Sequence, residues 1–238
     1  MNWSGGKDSS LCLYKALQSK KYNIEYLLTS VNKTHNRISM HGVRVSLLEK
    51  QAEAIGIPLK KIELPEMPGM DEYEIEMEKK INEIKSEGIK DSIFGDIFLE
   101  DLKIYREKKL AELGITPHFP LWKISTKELM DEFLDLGFKA IIVCINTKFL
   151  DKSFCGRIID RSFVNDLPSD VDVCGENGEF HSYVFDGPIF RKPIAFTKGD
   201  IVYKEYAKPK EAKREHYKAV EKEEKNYGFY FCDIMSEV

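Results

Sequence analysis

Apolar and polar residues alternate with two different periods along residues 9–113. Apolar side chains at helical spacing mark segments with charged residues between them, and short apolar runs with strand character separate these segments. The pattern predicts helices at 9–21, 42–55, 71–87 and 99–113, and strands at 24–31, 59–64 and 92–96. Because helices and strands alternate, we expect an α/β fold with a doubly wound, mostly parallel sheet.

The pattern changes after residues 116–120, which contain two prolines. A helix is predicted at 126–136 and a strongly apolar strand at 139–145, and the apolar stretches beyond them are short and cut by Gly, Pro and Asp. The charged run at 208–226 is predicted to be a solvated helix. We therefore expect an α/β domain at 1–122 and a smaller α+β domain at 123–238.

Composition limits the class of protein. The chain has 238 residues, of which 42% are hydrophobic, so it is not of a disordered type. A formal net charge of −4 gives no general attraction to nucleic acid or to an anionic membrane. We see no apolar run of about 20 residues and no signal-peptide pattern. The five cysteines are odd in number and lack C-x-x-C spacing, which favours a reducing, cytoplasmic compartment.

A glycine-rich loop carries the clearest chemistry. It consists of Ser4, Gly5, Gly6, Lys7, Asp8 and Ser9. Paired glycines let the backbone turn tightly, so that amide N–H groups form a nest for anionic oxygens at the start of the predicted helix. The serine hydroxyls and the lysine ammonium add donors and positive charge. The loop therefore predicts a phosphate site, and the Walker pattern is absent; an ordinary capped glycine turn is the alternative.

Acidic residues near this loop predict a cation. Asp8 would repel a phosphate unless a cation intervened, so Asp8 is expected to hold Mg²⁺. Gly95 and Asp96 follow a predicted strand, where ligands bind in an open parallel sheet, and Asp96 is expected to face the nucleotide or its metal. A helix N-cap is the alternative role for Asp96.

A second polar cluster lies at residues 172–181, where a tight turn around Gly-Glu-Asn-Gly presents Glu176, Glu179 and His181. Two carboxylates beside a nucleotide could bind a cation or accept a proton, and His181 could move protons near neutral pH. Locally the sequence favours a plain polar hairpin.

The loop resembles the S-G-G-K-D-S signature of the PP-loop ATP pyrophosphatases, and within that group the chain is similar to the diphthine–ammonia ligase family. Further blocks carry the resemblance from about residue 3 to 193. They are His41 to Arg44, Gln51 to Pro58, Gly95 to Ile97, Pro120 to Trp122, and Cys174 to His181, with Asn177 where the family pattern has Gly. The 41–44 block resembles bacterial members, so the identity of the acceptor stays open.

The resemblance implies an adenine nucleotide alpha hydrolase-like (HUP-like) fold, cleavage of ATP between the α and β phosphates, and Mg²⁺. It implies adenylation of a carboxylate, release of pyrophosphate and attack by ammonia, with the acceptor carried on a protein. The implied catalytic residues are Lys7, Asp8, Asp96, Glu176 and Glu179. The implied nucleotide contacts are residues 4–9, Met40 and Gly95, and the metal ligands are Asp8 and Asp96.

Two other functions stay open from the sequence. One is a tRNA-modifying PP-loop enzyme, although paired reactive cysteines and a basic footprint are missing. The other is a nucleotide sensor without catalysis. We expect Arg44 to be a surface residue or a phosphate contact, and Trp122 to pack between domains. Only Met1, Asn2 and Trp3 precede the loop, so the usual first strand is expected to be very short or truncated.

Overall fold

The structure is a computed structural model that describes residues 1–38, 41–65, 69–206 and 227–237. The helices are α1 Lys7–Ser19, α2 Val45–Ile55, α3 Met70–Ser86, α4 Glu100–Glu112, α5 Thr126–Asp135 and α6 Arg161–Asp166, with a short 3-10 turn at Lys152–Phe154. The strands are β1 Leu27–Asn32, β2 Arg37–Ile38, β3 Leu59–Leu64, β4 Asp91–Ile93, β5 Thr116–His118, β6 Lys139–Asn146, β7 Phe180–Asp186, β8 Phe196–Tyr206 and β9 Tyr227–Ser236.

The first part of the chain forms parallel β-structure, as the alternating pattern predicts. β1 pairs in parallel with β3, and β4 pairs in parallel with β5. The two-residue strand β2 pairs antiparallel with the end of β1. The chain is therefore a mixed α/β protein with parallel sheet elements.

Residues 1–3 join the two parallel pairs. The amide of Leu28 in β1 donates to the carbonyl of Met1 at 2.8 Å, and the amide of Trp3 donates to the carbonyl of Leu28 at 2.7 Å. On the other side, the amide of Asn2 donates to the carbonyl of Ile93 in β4 at 2.8 Å. This segment thus fills the strand position between β1 and β4, and the loop that follows it is anchored on both sides.

A second, antiparallel sheet lies in the later part of the chain, with the strand order β7-β6-β9-β8. β6 is buried along nearly its whole length, which explains its strong apolar pattern. β8 and β9 were not predicted as strands. Most side chains of β8 are exposed, so its sequence lacks the alternation of a half-buried strand.

The largest core joins the two sheets. It contains side chains of α1 and α2 together with those of α5, β6 and β7. The hydroxyl of Tyr183, in β7, is fully buried and donates to the carbonyl of Leu47 in α2 at 3.1 Å. A smaller core packs α3 and α4 on β1, β3 and Phe94, which follows β4. β7 consequently lies against the beginning of the chain, where the glycine loop is found.

Several predicted boundaries are corrected. α1 begins at Lys7 rather than near Ser9, so the last three loop residues belong to its first turn. β5 lies in the stretch that was expected only to break the pattern; a proline is accommodated there because β5 is short and has one pairing partner among the described strands. The predicted helix at 208–226 falls outside the described residues. None of the described helices is long and apolar enough to cross a membrane.

Candidate functional site

The glycine loop turns from residues 1–3 into α1. Gly5 has a φ of +73°, a left-handed conformation that favours glycine. Gly6 is the N-cap of α1 and has extended backbone angles. The first amides of a helix of 13 residues therefore point out of this loop, and the positive end of the helix dipole lies there. This arrangement suits an anionic ligand.

β7 holds the loop from the side. The amide of Val184 donates to the carbonyl of Gly5 at 2.9 Å, and the amide of Lys7 donates to Oγ of Ser182 at 3.2 Å. A Cβ on Gly6 would come within 3.1 Å of the carbonyl oxygen of Ser182. The loop is thus packed against a strand whose residues lie about 180 positions later in the chain.

The two loop serines are bonded to each other and to the loop backbone. Ser9 Oγ donates to the carbonyl of Gly6 at 2.9 Å. Ser4 Oγ lies 3.1 Å from Ser9 Oγ and accepts from the amide of Gly6 at 3.3 Å. Because the proton of Ser9 is used on Gly6, Ser4 is the donor between the two hydroxyls. A ligand in the loop would compete for these bonds.

Lys7 and Asp8 form an ion pair in the first turn of α1. The ammonium of Lys7, whose side chain is 5% exposed, donates to both oxygens of Asp8 at 2.9 and 2.7 Å. Burial opposes the charge of Lys7, but Asp8, Cys174 and Glu176 together raise its pKa. Burial also raises the pKa of Asp8, against the lowering by Lys7. Lys7 is therefore a buried side chain beside the loop that keeps its positive charge at neutral pH.

Asp96 lies next to the loop and is paired with a cation. Its oxygen Oδ2 is 2.8 Å from Nε of Arg106 in α4, and its side chain is 13% exposed. Burial raises the pKa of Asp96, while Arg106 lowers it. Gly95 packs so closely that a Cβ there would come within 3.1 Å of the carbonyl oxygen of Asp8. The N-cap of α4 is Leu99, so the alternative role of Asp96 as that cap is wrong.

Glu176 completes a group of three carboxylates with Asp8 and Asp96. Its oxygen Oε1 accepts from the amide of Ile97 at 2.9 Å. Burial, helped by the charges of Asp8 and Asp96, raises the pKa of Glu176 to about 7, although the amide of Ile97 and the charge of Lys7 act to lower it. Glu176 is thus a carboxyl group that changes charge near neutral pH.

The carboxylate of Glu179 is hydrogen-bonded within its own turn. Its side chain is 1% exposed, and its oxygens accept from the amide of Asp172 at 3.0 Å, the amide of Asn177 at 2.9 Å and the side chain of Asn177 at 3.1 Å. The carboxylate of Glu179 therefore links the two ends of the turn through hydrogen bonds with its backbone. In this arrangement Glu179 holds the turn that carries Glu176.

The two histidines stack on each other beside Lys7. The rings of His41 and His181 are 4.3 Å apart and inclined by 15°. Burial, and after it the charge of Lys7, lowers the pKa of His181 to about 4. His181 is consequently neutral at pH 7, and the expectation that it moves protons near neutral pH is not supported by this environment.

The remaining predicted residues fall in different places. Arg44 is ion-paired with Asp233, with Nη2 2.6 Å from Oδ2, and this pairing occupies its guanidinium. Trp122 is half-buried, and its ring centre lies 6.1 Å from that of Phe119; its packing between domains stays a prediction. Met40 lies outside the described residues. In the part of the chain that the structure describes, no group of three His, Cys, Asp or Glu is arranged to hold a metal.

The sequence analysis missed two residues that shape the loop. Gln51 is fully buried in α2, donates to the carbonyls of Gly5 and Val184, and accepts from the indole of Trp3. Ser182 accepts from the amide of Lys7. A glutamine at a core-facing helix position was the available signal for the first, because a buried amide requires partners. The second has no local signal.

Two family models match the chain. The diphthamide synthase N-terminal domain matches residues 1–117, and the diphthamide synthase C-terminal domain matches residues 125–217. The first match contains the glycine loop and Asp96, and the second contains Glu176 and β7.

Several curated proteins are similar over part of their length, and each is named diphthine–ammonia ligase. The proteins of Bos taurus and Homo sapiens are each 28% identical over 113 residues, which is 45% of this chain and 42% of theirs. The protein of Danio rerio is 27% identical over 169 residues, which is 63% of this chain and 65% of its own. The chain thus matches about two fifths of the length of the bovine and human relatives.

Proposed function

Because this chain belongs to the diphthamide synthase family, we propose that it is an ATP-dependent ligase that joins ammonia to a carboxylate through an adenylated intermediate. The observation that carries the proposal is the clustering of Lys7, Asp8, Asp96 and Glu176 around a glycine loop at the start of α1. The similar curated proteins are named for the same reaction. The acceptor is diphthine or another carboxylate, carried on a protein.

The loop and Lys7 would bind the phosphates of ATP. Amides at a helix N-terminus and a lysine stabilise the negative charge that builds up on the α-phosphate and on departing pyrophosphate. An oxygen of the acceptor carboxylate attacks the α-phosphorus, the bond from this phosphorus to the oxygen bridging to the β-phosphorus breaks, and pyrophosphate leaves. Lys7 would stabilise the negative charge on both the α-phosphate and the departing pyrophosphate. The ion pair with Asp8 keeps the ammonium charged before ATP binds.

Asp8 and Asp96 would hold Mg²⁺ as part of this site. Mg²⁺ takes oxygen ligands and is commonly held by one or two carboxylates together with phosphate oxygens, so a complete protein cage is not needed. The two carboxylates are near enough for the charge of Asp8 to raise the pKa of Asp96. When bound, Mg²⁺ would neutralise phosphate charge and orient the leaving group.

Glu176 would accept the proton that ammonia loses. The nitrogen of ammonia attacks the acyl carbon of the adenylate, the bond between this carbon and the phosphate oxygen breaks, and AMP leaves. A proton must leave the nitrogen, and a carboxylate with a pKa of about 7 is matched to take it near neutral pH. Glu179 would keep Glu176 in place by closing the turn between them.

We also propose the finer architecture that this function requires. Residues 1–3 between β1 and β4 support the doubly wound, HUP-like order, with the nucleotide at the carboxyl ends of the strands. A division into 1–122 and 123–238 is supported by the change of sheet between β5 and β6 and by the limits of the two family matches. Five free, buried cysteines suit a reducing compartment such as the cytoplasm.

The test is a product assay with ATP, ¹⁵N-labelled ammonium and a panel of carboxylates that includes a diphthine-bearing protein. The expected products are AMP and pyrophosphate in equal amounts and an amide that contains ¹⁵N. Formation of ADP and phosphate would refute cleavage at the α-phosphate. ATP binding without AMP formation across the panel would instead favour a sensor, and AMP formation that depends on tRNA would favour a tRNA-modifying enzyme.

A further inference from the structure

Gln51 connects three separate parts of the molecule. Its Nε2 donates to the carbonyl of Gly5 at 3.0 Å and to the carbonyl of Val184 at 2.6 Å, and its Oε1 accepts from the indole nitrogen of Trp3 at 3.0 Å. The side chain is 0% exposed. One amide thus ties the glycine loop to β7 and to the segment that precedes the loop.

The orientation of this amide is fixed by its partners. Both protons of Nε2 face carbonyl oxygens, and the oxygen faces an N–H group that can only donate. Turning the amide by half a circle would place its oxygen against two carbonyl oxygens and its nitrogen against the indole of Trp3. The three partners therefore require an amide side chain at position 51, and they allow it only one orientation.

The loop is shaped around this side chain. A Cβ on Gly5 would come within 2.6 Å of Oε1 of Gln51 and 2.7 Å of Cδ2 of Leu48. In addition, the carbonyl of Gly5 receives a second bond from the amide of Val184 at 2.9 Å. The backbone of Gly5 is thus pressed against α2 and bonded at its carbonyl from two sides.

Fixing this carbonyl also fixes the next amide. In a planar trans peptide, the C=O of Gly5 and the N–H of Gly6 point in opposite directions. The Gly6 N–H therefore points away from Gln51 and toward the interior of the loop, where Ser4 Oγ accepts it at 3.3 Å. A long bond of this kind leaves the amide available to a stronger acceptor such as a phosphate oxygen.

We infer that Gln51 is a positioning residue for the nucleotide site: through the carbonyl of Gly5 it aims the Gly6 amide at the phosphates of ATP. The inference rests on the proposed function. Gln51 has no exposed surface in this arrangement, so it acts through the peptide group and does not touch the ligand. Its bond to Val184 also keeps β7 in register with the loop, which keeps Ser182 beside the amide of Lys7.

The test compares Gln51→Met with Gln18→Met. Methionine has a similar size and no donor, and Gln18 is exposed on α1, so the control makes the same change where no amide is held. Binding of ATP is measured by calorimetry, and KM and kcat are measured in the product assay. We expect Gln51→Met to raise the Kd and the KM for ATP about tenfold or more, since two bonds to Gly5 and Val184 are lost. The KM for the acceptor and the kcat at saturating ATP should change less than threefold, which separates aiming of the loop from a general loss of folded protein.

Trp3→Phe provides a second variant in case Gln51→Met does not fold. It removes the donor to Oε1 and keeps an aromatic ring in the core, and a smaller rise in the Kd, about threefold, is expected. Unchanged ATP binding in the folded Gln51 variant, or in Trp3→Phe when only that one folds, overturns the inference and leaves the proposed function standing. Failure of the wild-type chain to bind ATP overturns both.

Discussion

Lys7 and Asp8 are adjacent in the sequence and form an ion pair in the first turn of α1, with Nζ 2.7 Å from Oδ2. Adjacent residues of a helix do not usually face each other. This pairing therefore depends on burial of the Lys7 side chain, which turns the ammonium toward Asp8. The ring of Phe180 lies 5.5 Å from Nζ and limits where the ammonium can go. The pair keeps a cation at the loop without exposing it to water.

Replacing Lys7 by alanine should abolish most activity while preserving the fold. The amides of α1 remain, but the charge that stabilises departing pyrophosphate is lost, and kcat for pyrophosphate release should fall by about 10²–10³. Lys15→Ala is the control, because Lys15 lies on the same helix and is paired with Glu132 away from the loop. Circular dichroism checks the fold, and near-normal pyrophosphate release by Lys7→Ala would contradict the assignment.

Replacing Gly95 by alanine should weaken ATP binding. A Cβ at this position would lie 3.1 Å from the carbonyl oxygen and 3.2 Å from the carbonyl carbon of Asp8, so backbone must shift in the first turn of α1. We expect the Kd for ATP to rise about tenfold, a cost of about 1.4 kcal/mol. Gly69→Ala is the matched control, since no heavy atom of the described residues lies within 4 Å of its Cβ position and its φ is −64°. Equal affinities of the two variants would argue against the close approach.

Ligation should depend on pH through Glu176. A proton acceptor with a pKa of about 7 is mostly protonated below that pH, so the rate at a constant concentration of free ammonia should rise as the pH increases through 7. Glu176→Gln should be slow and should lose this rise. A rise of the same size in the glutamine variant would show that another group accepts the proton.

The raised pKa of Glu176 also makes the free energy of unfolding depend on pH. The pKa of Glu176 is about 7 in the folded chain and 4.5 as the ordinary value, so the folded state holds more protons between these pH values. The stabilisation from this group is complete below about pH 4.5 and is lost as the pH rises through 7. Denaturant unfolding of the wild type and Glu176→Gln across pH 5–8 should show a decline in the wild type that the variant lacks.

Glu179 and Glu176 should respond differently to the same substitution. In the folded chain, the Glu179 carboxylate accepts hydrogen bonds from the backbone amides of Asp172 and Asn177. Glu179→Gln replaces one of the two acceptor oxygens by an NH₂ group, so the free energy of unfolding should fall by about 1–3 kcal/mol. Glu176→Gln keeps the fold and should mainly lower kcat. If Glu179→Gln unfolded at the wild-type temperature but lost all activity, a direct chemical role for Glu179 would be favoured instead.

The ion pairs of Asp233 should set part of the acid stability. Burial would raise the pKa of Asp233, but Arg44 and Arg37 outweigh it and lower the pKa to about 2, from 3.8. Stability from this group is present above about pH 4 and is lost as the pH falls toward 2. Asp233→Asn should therefore lower unfolding free energy at pH 7 by about 1 kcal/mol, allowing for solvent screening, and by less at pH 3. Asp131→Asn, in an exposed pair with Arg161, should have little effect at either pH.

Much of the α/β part could be predicted because its elements bury one face. β3 occupies 59–64 as predicted, and α3 and α5 differ from the predicted helices by one residue at one or both ends. β8 could not be predicted, because its side chains are mostly exposed and its position depends on pairing with β9. The strand role of residues 1–3 depends on Leu28 and Ile93, which no local pattern can reveal.

In the candidate site, too, local features could be predicted and long-range contacts could not. The loop and Glu176 could be put forward from the sequence because glycines, charge and family blocks are local features. The catalytic role expected for Glu179 stays a prediction, because a carboxylate in a polar turn has the same sequence whether it acts on a ligand or binds its own amides. Arg106 was not considered, because it reaches Asp96 from the middle of a helix that reads as ordinary and solvated.

The anchoring of residues 1–3 determines the order in which the site can form during folding. These residues hydrogen-bond to β1 and then to Ile93, and the loop beside them requires Val184 and Ser182. Contacts so distant along the chain close late, because long loops must be ordered first. During synthesis the glycine loop leaves the ribosome before β7, and it can reach its final conformation only after β7 has formed. ATP binding should therefore report completion of folding rather than its early stages.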